Sequence, residues 1–442
     1  MGHVRLNPRV RQAMLGLAFV AATAVAHAGE LSVEDFKFDG PLGSQGAKIE
    51  KIDRNRFKVT LGHAPEHADW PNMMQFQIVR NAKGNDLKMV GEFATGTSYG
   101  FNAYFYSWSY DGKDWRPIRW NRSSSSAKGE TMLSFPVFEQ DTVFVGHQVP
   151  LSYEDMVAMI DGWKKDPAVK VHVVGESLGK RSLYRIEITD PNSPVPPAQR
   201  WVHYFANQHP GEHNSQWRMV GMIDWLLSDE GADARKRFLC HFVLMMSPDA
   251  PSNGWYRVNA QGLDMNRTYC VGGANPAQGH EPYLWQKDLE AIMASPCPAT
   301  TIWAMHTWPG ATDPSMLPGP EVGTVVGPAT LLGEIILRQD PNHELCKDLK
   351  IDKRVLRSPG TQPASRPAVR PASRPAARPA SGPPTRPGGG AWSSGPHAQF
   401  GVTAFLCEGA GALYTKKQNV DSGVLLIKSL AEYYKGTRRS PP

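Results

Sequence analysis

From Pro150 to His306 the chain alternates segments typical of β-strands with segments typical of α-helices. The strand-like segments are rich in apolar and β-branched residues and lie at residues 169–174, 183–189, 201–207, 238–246 and 300–306. Helix-like segments lie at residues 153–165, 215–227 and 282–293, and Ser152 with Asp155 resembles a capping box at the start of the first one. This alternation predicts an α/β domain whose helices pack on a mainly parallel or mixed sheet.

The part of the chain before Pro150 has a different pattern. Short β-branched and aromatic segments at residues 56–61, 74–79, 101–108 and 142–145 are separated by turn-forming clusters such as residues 81–85. Such spacing is typical of an antiparallel β-sandwich. We therefore predict a sandwich domain over residues 29–150 and an α/β domain over residues 151–442.

The first 28 residues have the features of a secretory signal peptide. Arg5, Arg9 and Arg11 precede a short apolar stretch at residues 13–26, and Ala26-His27-Ala28 is a small-x-small cleavage site. A membrane-spanning helix needs about 20 apolar residues, which is more than this stretch supplies. We expect a mature chain that is exported to the periplasm or the extracellular space and does not span a membrane; an uncleaved anchor is the alternative.

The net charge of +6 is concentrated in one segment. No acidic residue occurs between Asp352 and Glu408, whereas eight lysines and arginines do. Because the rest of the chain is nearly neutral, no nucleic-acid binding is predicted. Residues 358–396 are low in complexity and repeat Arg-Pro-Ala, which predicts a disordered surface insertion. The alternative to a disordered insertion is a basic tether that binds an anionic polymer or a lipid surface.

Three apolar segments end in side chains suited to metal binding or acid–base chemistry. They place His209, Glu212, His306 and Glu408 beyond the carboxyl ends of predicted strands, where open α/β sheets bind their ligands. A hydrolytic zinc site needs three protein ligands, an open position for water and a nearby base, and these four residues are sufficient for it. Two further His-x-x-Glu pairs, His27/Glu30 and His63/Glu66, lack this strand context.

The loop at residues 254–269 contains Arg257, Asn266 and Arg267. A guanidinium beside an amide is well suited to hold a carboxylate through two hydrogen bonds. An ordinary loop with a structural ion pair between Arg257 and Asp264 is the alternative. The residues alone do not decide between the two.

Four motifs together carry a family resemblance: residues 208–212 (QHPGE), 262–267 (GLDMNR), 405–408 (FLCE) and 144–150 (FVGHQVP). With them the chain resembles the zinc carboxypeptidases of the carboxypeptidase A type, and within these the cytosolic-carboxypeptidase-like branch. The resemblance implies a mixed-sheet α/β/α zinc carboxypeptidase domain preceded by an antiparallel β-sandwich.

The resemblance also implies a role for each site residue. One zinc ion would be held by His209, Glu212 and His306, and Glu408 would act as the general base. Arg257 would stabilise the oxyanion. Asn266 and Arg267 would bind the free C-terminal carboxylate of a peptide substrate.

One departure from the family pattern concerns a tyrosine that lies shortly before the general base, because no tyrosine occurs between His306 and Glu408. Its role is in substrate binding more than in making the nucleophile, so we still expect activity. Two alternatives remain open. One is a non-catalytic polymer-binding protein, and the other is a zinc amidohydrolase acting on cell-wall peptides or N-acyl amino acids.

Overall fold

The computed structural model describes residues 29–93, 106–118, 130–307, 318–319, 389–407, 415–437 and 439. The predicted signal peptide, residues 358–388 of the predicted insertion, and Glu408 lie outside these ranges. Among the residues described, no helix has the length and apolar character needed to cross a membrane.

Two facing β-sheets form the first part of the chain. Their strands and one small hairpin are β1 Phe36–Lys37, β2 Lys48–Asp53, β3 Arg56–Thr60, β4 His63–Ala64, β5 His67–Pro71, β6 Phe76–Ile78, β7 Leu87–Glu92, β8 Tyr106–Ser109, β9 Arg116–Pro117, β10 Glu130–Phe135 and β11 Val143–His147. One sheet has the order β1-β6-β11-β8-β9 and the other β10-β7-β3-β2. Apolar side chains from both sheets, such as Phe57 and Val145, share one buried core, so the predicted sandwich is confirmed. The β3–β7 pair differs from expectation because it is parallel.

The second part of the chain contains the predicted alternation of strands and helices. Its elements are α1 Tyr153–Trp163, β12 Val169–Glu176, β13 Ser182–Ile188, β14 Trp201–Ala206, α2 His213–Leu227, α3 Ala232–Arg237, β15 Phe238–Val243, α4 Ala250–Asn253, α5 His280–Met293, β16 Thr301–Met305, β17 Pro318–Gly319, α6 Gly395–Phe400, β18 Thr403–Cys407 and α7 Lys416–Tyr433. They build a seven-stranded sheet of order β12-β13-β15-β14-β16-β18-β17. The four central strands, β15, β14, β16 and β18, run parallel, and the outer strands pair antiparallel.

Helices cover both faces of this sheet. Successive residues of β14 point to opposite faces: Phe205 belongs to a core with Met222 of α2 and Leu426 of α7, whereas Tyr204 belongs to a core with Trp285 of α5. The predicted mixed-sheet α/β/α architecture is therefore confirmed. The predicted cap of α1 is also present, because the Asp155 N–H donates to Ser152 Oγ at 3.0 Å.

The predicted insertion ends earlier than residue 396. Residues 389–396 belong to the folded domain, where the Trp392 side chain is fully buried and packs edge-on against Tyr269 at 5.1 Å between ring centroids. Tyr269 and Gly390 also exchange backbone hydrogen bonds of 2.9 and 3.1 Å. The sequence does not predict that this segment is folded, because it is rich in small residues. A single large aromatic side chain, that of Trp392, is enough to anchor it in a core.

A candidate metal centre

The predicted metal ligands lie at the carboxyl ends of β14 and β16, which are adjacent parallel strands. His306 follows β16 directly, and His209 follows β14 after two residues. The chain turns between His209 and Glu212 through a corner that requires glycine, because a Cβ on Gly211 would come within 2.8 Å of Tyr256 Cα. The direction in which strands are added to the sheet also reverses here. The next strand along the chain, β15, lies on one side of β14, and the strand after it, β16, lies on the other side. Open α/β sheets bind ligands at such a switch point.

The three side chains converge on one buried point. His209 Nδ1 lies 2.7 Å from Glu212 Oε1, His306 Nδ1 lies 2.8 Å from Glu212 Oε2, and the two Nδ1 atoms are 3.1 Å apart. Each residue is at most 3 % exposed. His209, Glu212 and His306 form the one group of metal-ligating side chains with this spacing in the described part of the chain.

The geometry and charge of this cluster fit a zinc ion. Zinc bound to nitrogen at about 2.0–2.1 Å in a tetrahedral site places its donor atoms about 3.3 Å apart, close to the spacing of the two Nδ1 atoms. Burial disfavours the charge on Glu212, but His209 and His306 outweigh it and hold the pKa of this carboxyl well below its usual range. Burial also opposes a charge on His209, yet Glu212 and Asp264 raise its pKa. Burial lowers the pKa of His306, which favours the neutral imidazole that binds metal ions.

Asp264 links the metal cluster to the neighbouring loop. Its Oδ1 lies 3.0 Å from His209 Nε2 and accepts a hydrogen bond from the Asn266 N–H at 2.9 Å, while its Oδ2 accepts from Arg257 Nε at 2.6 Å. The carboxylate thus orients a candidate metal ligand, as acidic partners of ligating histidines generally do. From the sequence, Asp264 is predicted only as a possible structural partner of Arg257. That ion pair is present, but sequence carries no signal for the contact with His209, which is 55 positions away.

The loop that carries Arg257 also places the two predicted carboxylate-binding residues. Asn266 is buried, and its Oδ1 accepts a hydrogen bond from the Trp392 N–H at 2.8 Å. Because the amide oxygen is used in this way, the amide NH₂ is turned toward other partners. Arg267 is exposed, and one of its terminal nitrogens donates to the Asn266 carbonyl at 2.8 Å.

The predicted general base lies beyond the described residues. Cys407, immediately before it, ends β18 beside β16, and the His306 N–H donates to the Cys407 carbonyl at 2.9 Å. The described part of this strand therefore ends at Cys407, which is hydrogen-bonded to the backbone of the predicted ligand His306. Trp392 does not replace the absent tyrosine, because its side chain is buried in the core.

The other His-x-x-Glu pair that the structure describes lies apart from the cluster. His63 and Glu66 belong to the β4–β5 hairpin, where Glu66 is the turn residue with a φ of 59° and His63 Nδ1 lies 2.9 Å from the Ala64 carbonyl. His27 lies outside the described residues. His213, next to Glu212, turns away from the cluster, and its Nδ1 accepts a hydrogen bond from the Leu151 N–H at 3.3 Å.

A buried His–Glu–His cluster at the carboxyl edge of a mixed α/β sheet is a donor set of the kind that zinc hydrolases use. Comparison with known families gives this class its name. Residues 156–301 match the family Peptidase_M14, zinc carboxypeptidase. The chain therefore contains a zinc carboxypeptidase domain. The matched range includes His209, Glu212, Arg257, Asn266 and Arg267 and ends before His306.

Similar proteins agree with this assignment. Cytosolic carboxypeptidase 2 of Xenopus tropicalis is 28% identical over 268 residues, which cover 53% of this chain and 27% of that protein. Cytosolic carboxypeptidase 2 of Homo sapiens is 32% identical over 248 residues, which cover 50% of this chain and 27% of that protein. The chain thus matches about a quarter of the length of these relatives.

Solved structures of other proteins have a similar fold. A metallo-carboxypeptidase from Burkholderia cenocepacia superposes with a TM-score of 0.66 at 16% sequence identity, covering 90% of this chain and 98% of that one. A metallo-carboxypeptidase from Pseudomonas aeruginosa gives a TM-score of 0.61 at 17% identity. At such identities the likeness concerns the fold, and it includes both the sandwich and the α/β domain.

Proposed function

We propose that this chain is an exported zinc metallocarboxypeptidase that removes C-terminal residues from peptides. The observation that carries the proposal is the convergence of His209, Glu212 and His306 beside a loop with two arginines and an asparagine. The cluster supplies three protein ligands, as catalytic zinc sites do. The loop supplies donors for a substrate carboxylate, which is the feature that makes a peptidase act at chain ends.

The residues of the site have distinct roles in this proposal. When bound, one zinc ion would lower the pKa of a water molecule and polarise the scissile carbonyl. Arg257, oriented by Asp264, stabilises the negative charge that develops on the carbonyl oxygen. Asn266 and Arg267 bind the terminal carboxylate and thereby align the last peptide bond with the ligand cluster.

Glu408 completes the set as the general base. It takes a proton from the attacking water and delivers one to the leaving amine. Support comes from the chain path, since Cys407 is hydrogen-bonded to the His306 backbone. Glu408 is not a ligand in this proposal, so its replacement changes the rate and leaves zinc binding intact.

A comparison of the zinc-loaded wild type with Glu408→Gln tests the proposal. Both proteins are incubated with a library of peptides that differ at the C-terminus, and products are identified by mass spectrometry. We expect the wild type to release single C-terminal amino acids and the variant to be slower by about 100- to 10,000-fold, the usual contribution of a general base.

Other outcomes of this experiment would point to other functions. A zinc-loaded wild type that is no faster than Glu408→Gln on any peptide would contradict the enzymatic proposal and favour a polymer-binding protein. Cleavage of N-acyl amino acids without cleavage of peptides would instead identify an amidohydrolase. Cleavage inside peptides would contradict the assigned role of Asn266 and Arg267.

Export is supported by the sequence of the first 28 residues alone. We expect the mature chain to begin at Gly29, which the mass of the N-terminal peptide of the protein isolated from its producing cell would establish. A chain that retains Met1 in the cytoplasm would contradict export. The basic residues of the 358–396 segment are the candidate contact with an anionic polymer outside the cell.

A further inference from the structure

Helix α2 begins at a metal ligand, and this creates a capping problem. Glu212 is the N-cap residue of the helix, but its carboxylate faces His209 and His306 and makes no hydrogen bond to the helix backbone. An N-cap side chain normally accepts a hydrogen bond from one of the first backbone N–H groups, which have no partner within the helix. A ligand in this position cannot do both.

Two residues from other segments accept hydrogen bonds from these N–H groups instead. The Asn214 N–H donates to Gln148 Oε1 at 3.1 Å. The Ser215 N–H is shared between the Glu212 carbonyl at 3.1 Å and Thr307 Oγ1 at 3.0 Å. Thr307 follows the ligand His306, and its own N–H donates to Glu212 Oε2 at 3.0 Å. Gln148, by contrast, is not close in sequence to any of the predicted ligands. It lies 66 positions before Asn214, in the segment that connects the two domains.

The backbone of Gln148 has an uncommon conformation. Its φ is +55°, in the left-handed region that non-glycine residues seldom adopt, and the residue is only 5 % exposed. Such conformations persist where the surroundings over-determine them, and they cluster at functional sites. Here the Gln148 carbonyl accepts a hydrogen bond from Ser107 Oγ of the sandwich, while the side chain reaches α2.

The residues that follow Gln148 attach the same connecting segment to the same helix. Trp217 Nε1 donates to the Val149 carbonyl at 2.8 Å, and the Leu151 N–H donates to His213 Nδ1 at 3.3 Å. The segment that connects the sandwich with the α/β domain is therefore bound to the first two turns of α2.

We infer that Gln148 is a positioning residue for the metal ligand Glu212. By capping α2 from outside, it releases the Glu212 carboxylate for the metal and holds the ligand-bearing turn in place. The inference rests on the proposed zinc centre. It also gives the sandwich a function in the α/β domain, because the side chain that completes the ligand geometry comes from the connection between them.

Gln148→Gly isolates the role of the side chain. Glycine adopts the left-handed backbone without strain, so the variant keeps the chain path and loses the side chain with its acceptor. We expect its dissociation constant for zinc, measured by competition with a chromophoric chelator, to rise about 10-fold or more, as for other residues that orient metal ligands. The visible spectrum of the cobalt-substituted protein should change as well, because it reports ligand geometry.

Two further variants complete the test. Gln148→Glu keeps an acceptor of the same reach and sacrifices no hydrogen bond to any residue that the structure describes, because Gln148 Nε2 has no partner among them. Its zinc affinity should return toward that of the wild type. Ser152→Ala removes the equivalent cap from α1, which holds no ligand. This control should lower the unfolding temperature and leave zinc affinity unchanged.

The outcomes separate this inference from the proposed function. Unchanged zinc affinity and an unchanged cobalt spectrum in Gln148→Gly, with a wild type that binds zinc, would overturn the positioning role alone. A loss of affinity in Ser152→Ala as large as in Gln148→Gly would also overturn it, since the effect would then be one of general stability. A wild type that binds no zinc would overturn the proposed function together with this inference.

Discussion

At the scale of single residues, Asp264 connects the three parts of the candidate site. One carboxylate contacts the candidate metal ligand His209, the guanidinium of Arg257 and the backbone of Asn266. Burial opposes its charge, but His209 and Arg257 outweigh burial and hold the pKa of Asp264 well below its usual range. Asp264 is therefore ionised at neutral pH and stabilises the orientation of both neighbours.

Asp264→Asn should weaken zinc binding. An amide can still accept a hydrogen bond from His209 Nε2, but it no longer supplies the negative charge that raises the basicity of the imidazole. We expect the dissociation constant for zinc to rise by about 10- to 100-fold, measured by competition with a chelator.

The matched control for this change is Asp233→Asn. Asp233 also pairs with an arginine, Arg237, at 2.9 Å, but its side chain is 75% exposed and belongs to helix α3. Its replacement should leave zinc affinity as it is in the wild type. Equal affinities in both variants would show that Asp264 does not tune His209.

At the scale of secondary-structure elements, the support of the site depends on the close approach of α2 and α7. Each helix has a glycine at the crossing. A Cβ on Gly221 would overlap the backbone carbonyl of Val420, and a Cβ on Gly423 would overlap that of Arg218. The helices can therefore lie this close only while both positions lack a side chain.

Gly423→Ala should destabilise the protein. In an isolated helix, alanine is favoured over glycine by about 1 kcal/mol. Here the added methyl group forces α7 away from α2, and overpacking of this kind costs about 1–3 kcal/mol or more. We expect a lower free energy of unfolding, measured by urea denaturation followed by circular dichroism.

Gly162→Ala is the control for the Gly423 prediction. Gly162 also lies in a helix, α1, but a Cβ there would meet no atom within 4 Å. The control should keep or raise the free energy of unfolding, following the helix propensity alone. A stable Gly423→Ala protein would mean that the two helices can separate without loss.

At the scale of the whole molecule, the sandwich supports the loop that carries the residues proposed to bind substrate. The Met73 N–H donates to the Gly254 carbonyl at 2.8 Å, and His67 Nε2 lies 2.8 Å from the Gly262 carbonyl. A Cβ on Gly254 would come within 2.7 Å of the Gly43 carbonyl oxygen, so this contact also requires glycine. The first domain thus holds the start and the middle of the loop at residues 254–269, on either side of Arg257.

Deletion of residues 358–388 should leave folding and the chemistry of the site unchanged. The segment lacks the apolar residues that a packed core needs, and the folded domain begins again by residue 389. We expect the same unfolding temperature and the same turnover of a short peptide as in the full chain. A lower unfolding temperature would contradict the prediction.

A second variant distinguishes the two interpretations of this segment. Replacement of Arg366, Arg370, Arg374, Arg378 and Arg386 by glutamine keeps the length and removes the charge. If the segment is a tether, sedimentation with an anionic polymer should be lost in both variants. If it is only a surface insertion, neither variant should differ from the wild type.

Much of the fold followed from patterns that are local in sequence. The period of apolar residues predicted the strands and helices of the α/β domain, and Ser152 predicted the start of α1, because caps and periodicity act over a few residues. Contacts between residues that are far apart in the sequence were harder to predict. The parallel β3–β7 pair and the packing of Trp392 depend on partners that no local pattern specifies.

The sequence by itself determined which chemical groups are present and on which elements they lie: two histidines and a glutamate at strand ends, and arginines with an asparagine on one loop. Only the tertiary structure decided that β14 and β16 are neighbours, so that His209, Glu212 and His306 meet within hydrogen-bond distance. It also decided the supporting contacts of Asp264 and Gln148. The physical reason is that strand order and domain contacts arise from burial summed over the whole chain, whereas side-chain chemistry is a property of each residue.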